Sequence, residues 1–415
     1  MFDLDKWQEI IETMRKNKLR TFLTAFGVFW GIFMLVLLLG AGAGMQNGVK
    51  KDFENEAINS LWIWSDNTSI AYKGLQAGRK INYTVEDLEA ISREVPEVSL
   101  VSARNRVFGE YTINYKDKNG SFQVFGTDQN FFFLNGEQVS AGRNLNLQDL
   151  KEQRKVIVMG EKARKVIFGE EKNKGLGEYV NVKGIFFKVV GFFTTSSNNG
   201  RNEERAYIPF STYQNTFNGQ KKVQLMGLVV KEGIKVSEIE PKIRKILSAR
   251  HLVAPDDKKA IGLNNNEANY EQFTGLFTAI RLFVWVVGIG TLIAGIVGVS
   301  NIMMIIVKER TKEIGIRKAI GATPFSIVSL ILQESIVITS LSGYLGLLAG
   351  TALLDLMRFA IEEFNLELPY FTRPEVDLGT AIAAILVLVF AGAFAGLMPA
   401  LKAANIKPIE ALNSD

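Results

Sequence analysis

Residues 21–49 contain no charged side chain, whereas about 20 apolar residues are enough to cross the hydrocarbon of a bilayer. This run reads as a first membrane span. An A-x-A pattern at Ala41-Gly42-Ala43 raises the rival of a cleaved secretory signal, but the run is too long for a signal core, so an uncleaved anchor is expected. Three more runs of spanning length follow at about residues 282–307, 325–354 and 378–401. Ahead of the first, residues 1–20 place Leu4, Trp7, Ile11 and Met14 on one helical face, with Arg15, Lys16, Lys18 and Arg20 behind them. That pattern predicts an interfacial amphipathic helix.

Between the first two spans, residues 50–275 change to the pattern of a water-soluble domain. The expected fold is therefore a membrane α-helical protein of four transmembrane helices, with a large α+β domain between the first and second spans. Its basic N-terminus, the basic loop after the second span, and Lys402 and Lys407 near the end put both termini on the cytoplasmic side. The loop at 355–377, with Glu362, Glu363, Glu367 and Glu375, then faces outward together with the large domain. A net charge of +5 spread among acids excludes the basic stripe of a nucleic-acid binder. With no cysteine and one histidine, His251, neither a disulfide framework nor a thiolate or multi-histidine metal site is available.

The densest basic loop is residues 307–324, V-K-E-R-T-K-E-I-G-I-R-K-A-I-G-A-T-P. Lys308, Arg310, Lys312, Arg317 and Lys318 hold it at the inner face, and Glu313 stands four before Arg317, the favourable order for a helical ion pair. Ile316, Ala319 and Ile320 offer a small apolar patch, and Gly321 with Pro324 gives a stop. A charged, capped helix held between two spans suits docking onto a cytoplasmic partner.

Small residues recur four apart in the spans: Gly27 and Gly31, Gly40 and Gly44, Gly346 and Gly350, Gly392 and Gly396, and more weakly Ala294 with Gly298. Such pairs let helix backbones approach closely, either within one subunit or between subunits. Glu334 is the one acidic residue inside a span; insertion of a carboxylate at a helix centre costs about 2.5–3.5 kcal/mol, so it is expected to find a partner. A polar tie between helices, with Arg317 within reach, is the first expectation, and a proton relay the second.

In the large domain, Thr84 caps a helix running to about Arg93, and Ser237 with Glu240 reads as a capping box. Tyr111, Ile113 and Tyr115 alternate up to Asn119-Gly120, a hairpin turn signal. Residues 156–159 and 186–193 read as buried strands, and 206–209 leads to a helix capped by Ser211. The Phe131-Phe132-Phe133 and Phe186-Phe187 runs suit core packing or an apolar binding surface. No Gly-Lys dipeptide, H-E-x-x-H or G-x-S-x-G occurs, so these familiar phosphate-binding, zinc and hydrolase motifs are absent and no catalytic residue is assigned.

The order of one span, a large domain, then three spans with K-E-R-T-K-E-I-G-I-R-K-A-I-G-A after the second resembles the MacB and FtsX-like ABC transporter permeases over essentially the whole chain. The resemblance extends to N-K-L-R-T-F-L-T-A-F-G-V, V-F-G-T-D-Q-N-F-F, A-G-R-N-L, Y-I-P-F-S-T, G-V-S-N-I-M-M-I-I-V-K-E-R and P-A-L-K-A-A-N-I-K-P-I-E-A-L. It implies a multi-pass protein of the bacterial inner membrane with a periplasmic core domain over 50–275, a β-rich insert at about 119–205, and a permease domain over 276–415. The ATPase-coupling helix would be 308–321, using Lys308, Glu309, Arg310, Glu313, Ile314, Gly315, Arg317, Lys318 and Gly321. ATP and Mg belong to a cytoplasmic ATPase dimer, not to this chain. With only some 20 residues ahead of the first span, that ATPase is expected on another chain. A second copy of this or a related permease would complete the membrane part, with a periplasmic adaptor and outer-membrane channel beyond it. The implied function is export of small molecules or peptides by mechanotransmission; a lipoprotein-extracting permease and an FtsX-like regulator of a cell-wall hydrolase are the alternatives.

Overall fold

The computed structural model describes residues 18–54, 56–109, 112–195, 197–364, 366, 368 and 370–408; nearly all of the expected interfacial helix at 1–20 and the tail from 409 lie outside them. The chain opens with helix α1 (Lys18–Glu54) and ends with α8 (Asn266–Glu309), the short α9 (Thr311–Ala319), α10 (Pro324–Glu363) and α11 (Leu378–Ala404). Helices α1, α8, α10 and α11 are each long and apolar enough to cross a membrane. They outrun the hydrophobic runs because apolarity marks only the hydrocarbon stretch, while a helix continues until its backbone is capped. Thr323 caps α10, accepting from the Ser326 amide with Pro324 in the first turn, and Asp377 caps α11, accepting from Thr380.

Two compact units divide the chain, one of residues 1–48 and 276–415 and one of 49–275. The membrane unit buries Val28, Ile32 and Val36 of α1 against Leu292, Val299, Met303 and Ile306 of α8, Ile338 and Leu354 of α10, and Leu388 and Ala395 of α11. Its outer surface is apolar as well, with Phe283, Val286, Phe390 and Phe394 exposed, as expected of helices whose solvent is lipid.

The second unit contains β1 (Ser60–Ser65), β2 (Tyr83–Thr84), α2 (Val85–Glu94), β3 (Val98–Arg106), β4 (Thr112–Tyr115), β5 (Lys118–Ser121), β6 (Gln123–Thr127), α3 (Asn130–Leu134), β7 (Gln138–Gly142), α4 (Leu147–Lys151), β8 (Val156–Gly160) and α5 (Glu161–Phe168). It continues through β9 (Tyr179–Val182), β10 (Ile185–Thr194), a 3-10 turn, β11 (Arg205–Pro209), α6 (Phe210–Thr216), β12 (Lys222–Val223), β13 (Leu225–Val230), α7 (Val236–Arg250) and β14 (Ile261–Asn265). One mixed sheet runs β14-β1-β13-β3-β6-β11-β8-β10-β9-β4-β5, with β7 also on β10. This is the α+β domain between the first and second spans.

Its two largest hydrophobic clusters lie on different parts of the sheet. In the first, Leu61, Ile63, Met226 and Leu228 of the sheet meet Ile91 of α2 and Ile239, Ile243 and Leu247 of α7. In the second, Val124, Ile157, Val180, Phe187 and Val189 meet Ala163 and Ile167 of α5. The phenylalanine runs divide by strand and helix period: Phe131, Phe132 and Phe187 are buried, whereas Phe133 and Phe186 are each 60% exposed.

Three local expectations come out differently. The β4–β5 hairpin turns at Lys116-Asp117, because Tyr115 pairs with Lys118 while Asn119 and Gly120 lie inside β5; Lys116 takes the positive φ of 52° that the turn requires. Ser211 caps nothing: α6 starts after Pro209, and the Ser211 hydroxyl donates to the Leu150 carbonyl at 2.5 Å. Ser237 lies within the first turn of α7, whose leading amide, Val236, donates instead to the Glu267 carboxylate at 2.6 Å. At Val236 a partner distant in sequence takes the role that a local residue offered.

Two buried carboxyls have opposite pH dependence. Burial pushes the Asp87 carboxyl up, but the hydrogen bonds from His251, Arg250 and the Thr84 amide outweigh it and hold it at about 2. Below its unfolded value of about 3.9, stability from Asp87 is therefore lost as pH falls toward 2. Glu137 is driven up to about 8 by burial, although the Tyr207 hydroxyl and the Asn135 amide both donate to its Oε1 at 2.6 Å. Its contribution is complete below an unfolded value of about 4.3 and is lost as pH rises through 8. Asp87→Asn should cost about 1–3 kcal/mol at neutral pH and flatten the acid limb of stability. Glu137→Gln, which keeps an acceptor for Tyr207, should flatten the decline between about pH 4 and 8. Denaturant titrations of the full chain followed by tryptophan fluorescence across pH check both; unaltered pH profiles would contradict them.

Candidate functional site

The basic segment forms a helix distinct from the second span. Helix α8 ends at Glu309, Arg310 leaves the helical conformation at ψ 13°, and α9 begins at Thr311. At the other end, Gly321 adopts φ +110°, the Gly321 amide donates to the Lys318 carbonyl, and the Ala322 amide donates to Arg317. This paired closure is a Schellman motif, which favours glycine at the left-handed position. Within α9, the Arg317 guanidinium donates to Glu313 at 2.8 Å, the i,i+4 pair that the spacing offered.

One face of α9 is anchored. Ile314 and Gly315 are buried, with Ile314 packed into a cluster of Val307, Ile327, Ile331, Ala400 and Ala403. The Lys318 ammonium donates to the carbonyls of Ala404 and Ile406, both at 2.7 Å, and so satisfies backbone acceptors that the end of α11 leaves open. The other face is free: Lys312 and Glu313 are exposed, Ile316 is 48% and Ile320 83% exposed, and Phe325 at the start of α10 is 81% exposed. Lys308 and Glu309 on the last turn of α8 are exposed as well. The arrangement gives a charged surface with apolar points, held rigidly from behind.

Glu334 is 3% exposed inside α10, about 15 Å along the helix from Pro324. Its Oε2 lies 3.5 Å from Nη1 of Arg310, the residue at the α8–α9 break. Arg310, Glu313, Arg317 and Glu334 all line one cavity of about 30 Å³, room for a water or two. No sequence signal identified Lys318 as the link to the fourth span.

The glycine pairs pack within the chain. A methyl group on Gly27 would approach Gly295, and one on Gly31 would touch Leu292. Gly40 faces Leu354, Gly44 faces Phe371 and Pro374, Gly346 faces the Phe29 carbonyl, and Gly350 faces Val36. Gly392 and Gly396 abut Thr339 and Ser335, and the Ser335 hydroxyl donates to the Gly392 carbonyl at 2.9 Å. In contrast, nothing stands within 4 Å of Gly290 or Gly298, and Ala294 between them is exposed. Among the described residues no group of three or more His, Asp or Glu is placed to hold a metal ion.

Comparison with known proteins agrees with this architecture. Residues 21–246 match the MacB-like periplasmic core domain and residues 285–408 the FtsX-like permease C-terminal domain. The chain belongs to the MacB/FtsX-like family of ABC transporter permeases. It is 26% identical over 405 residues to the macrolide export ATP-binding/permease protein MacB of Bradyrhizobium diazoefficiens, covering 97% of this chain and 59% of that protein. It is 28% identical over 407 residues to the pyoverdine export ATP-binding/permease protein PvdT of Pseudomonas syringae, covering 96% of this chain and 58% of that one. The chain thus spans less than two thirds of the length of these relatives. Among solved structures, the periplasmic region of MacB from Actinobacillus actinomycetemcomitans overlaps 54% of this chain and 96% of its own, at 18% identity and a TM-score of 0.43. The extracellular domain of YknZ from Gram-positive bacteria overlaps 50% and 100%, at 16% identity and 0.41.

Gly392→Leu should disrupt the α10–α11 contact, lowering thermal stability in detergent by about 1–3 kcal/mol or more, whereas Gly298→Leu should leave the fold of a single chain intact. Equal melting temperatures for the two variants would contradict the packing described.

Proposed function

We propose that this permease couples ATP hydrolysis by a cytoplasmic ATPase to conformational change in its α+β domain, moving small molecules or peptides outward by mechanotransmission. The observation that carries the reading is α9: a short basic helix with an anchored rear face and an open front face of Lys312, Glu313, Ile316 and Ile320. Short basic loops stay inside, which favours α9 and both termini in the cytoplasm and the α+β domain in the periplasm. The spans support transmission rather than a conduit, since the side chains where they meet are chiefly apolar or small. The printed names of the relatives, macrolide and pyoverdine exporters, favour efflux as the task.

In this reading ATP and Mg are held by the ATPase, a dimer that docks on two copies of α9. A second copy of this or a related permease would pack against lipid-facing small residues, and the open line of Gly290, Ala294 and Gly298 on α8 suits that contact. A periplasmic adaptor and an outer-membrane channel would complete the export path.

Replacing Glu313 and Arg317 together with alanine should abolish stimulated ATP turnover by the assembled transporter while membrane insertion is retained, because both side chains lie on the water-exposed part of α9. Affinity purification from native membranes, followed by mass spectrometry and ATPase assay, reads the result. Undiminished ATPase recovery and coupling in the double variant would overturn docking at this face, and co-purification of lipoproteins in place of an adaptor would redirect the cargo assignment.

A further inference from the structure

The ends of α9 are fastened to two different spans by two different kinds of contact. At its start, Arg310 occupies the break between α8 and α9 and extends its guanidinium to Glu334, which is buried in the third span. At its end, Lys318 closes on the carbonyls of Ala404 and Ile406, at the terminus of the fourth. Ile314 between them is held by Ile327 and Ile331 of α10 and by Ala400 and Ala403 of α11. Its covalent link back to the second span, by contrast, passes through the one non-helical residue, Arg310.

We propose that Glu334 is a positioning residue for coupling: by holding Arg310, it fixes the start of α9 to the third span, so that α9 and the inner ends of the third and fourth spans move as one body. The name coupling rests on the docking reading above; the mechanical tie does not. Charge and environment support it. Arg310 and Glu334 are 22% and 3% exposed at their side chains, and in so dry a place an ion pair is screened far less than on a surface. Removing one member of a buried ion pair is costly because the other charge loses a favourable interaction. Glu313 and Arg317 border the same small cavity, so two acids and two bases balance there. With the helix held at both ends, a push on its open face reaches the spans instead of being absorbed by bending at Arg310.

The chain contains no cysteine, so a single nitroxide can report on α9 without background substitutions. Ile316, half exposed on the open face, is replaced by cysteine and labelled in the full chain in lipid nanodiscs with no ATPase present. We expect Glu334→Gln and Arg310→Gln each to shift the label from an immobilised to a mobile spectrum, Lys318→Met to do the same from the other end, and Arg310→Lys, which keeps the charge, to retain the immobilised component. Circular dichroism of each variant should stay unchanged. Should Glu334→Gln fail to fold, Arg310→Gln carries the test, since its side chain is part exposed. Unchanged label mobility in the glutamine variants, or mobility in Arg310→Lys equal to that in Arg310→Gln, would overturn the proposal. Because no ATPase enters the experiment, a failure of the docking reading leaves its outcome untouched.

Discussion

The contact on which the α9 end of the membrane unit depends is the lysine at the end of α9 that reaches the end of the fourth span. A helix terminus leaves carbonyl groups without helical partners, and in or near hydrocarbon each must find a donor. Lys318 supplies one to Ala404 and Ile406, and cations are also favoured at this pole of a helix. Satisfying that end ties a segment of the chain some 86 residues upstream into the membrane unit. Without it, the end of α9 would lose its polar tie to the fourth span and keep only the packing of Ile314. With it, and with Arg310 against Glu334, the helix becomes part of the same packed body as α10 and α11.

The spans follow from the same economy of solvent. Lipid gives apolar side chains no reason to prefer one another, so association rests on close approach and on hydrogen bonds between helices. That is why glycines line the internal contacts and why Ser335 donates to the backbone of Gly392. It also explains the exposed phenylalanines of α11, which would be a liability in water and are ordinary in a bilayer. The α+β domain works by the opposite rule, burying its apolar residues in its interior and giving Asp87 and Glu137 donors from elsewhere in the domain.

Much of this was legible from the chain. Long apolar runs gave the four spans, and the 313–317 spacing gave the ion pair of α9. Gly321 gave its stop, since only a glycine there suits the left-handed closure. What could not be read were strand register and the contacts between residues far apart in sequence. Asn119-Gly120 looked like a turn, yet the register of β4 with β5 moved it to Lys116-Asp117. Ser237 looked like a cap, yet Glu267 took the amide. Glu334 advertised a polar tie, for which Arg317 was the candidate, but not the contact with Arg310, which depends on the break between α8 and α9. The glycine pairs announced close packing but not against what.

The central claim is that the open face of α9 is where the ATPase docks. The most direct measurement is site-specific photocrosslinking from a probe at Ile320, exposed at the end of that face, in native membranes, with crosslinked partners identified by mass spectrometry. Docking at this face would give a crosslink to an ATP-binding subunit that disappears when the probe is moved to the buried position Ile314. Crosslinks to lipid alone, or to a protein without an ATP-binding fold, would contradict it.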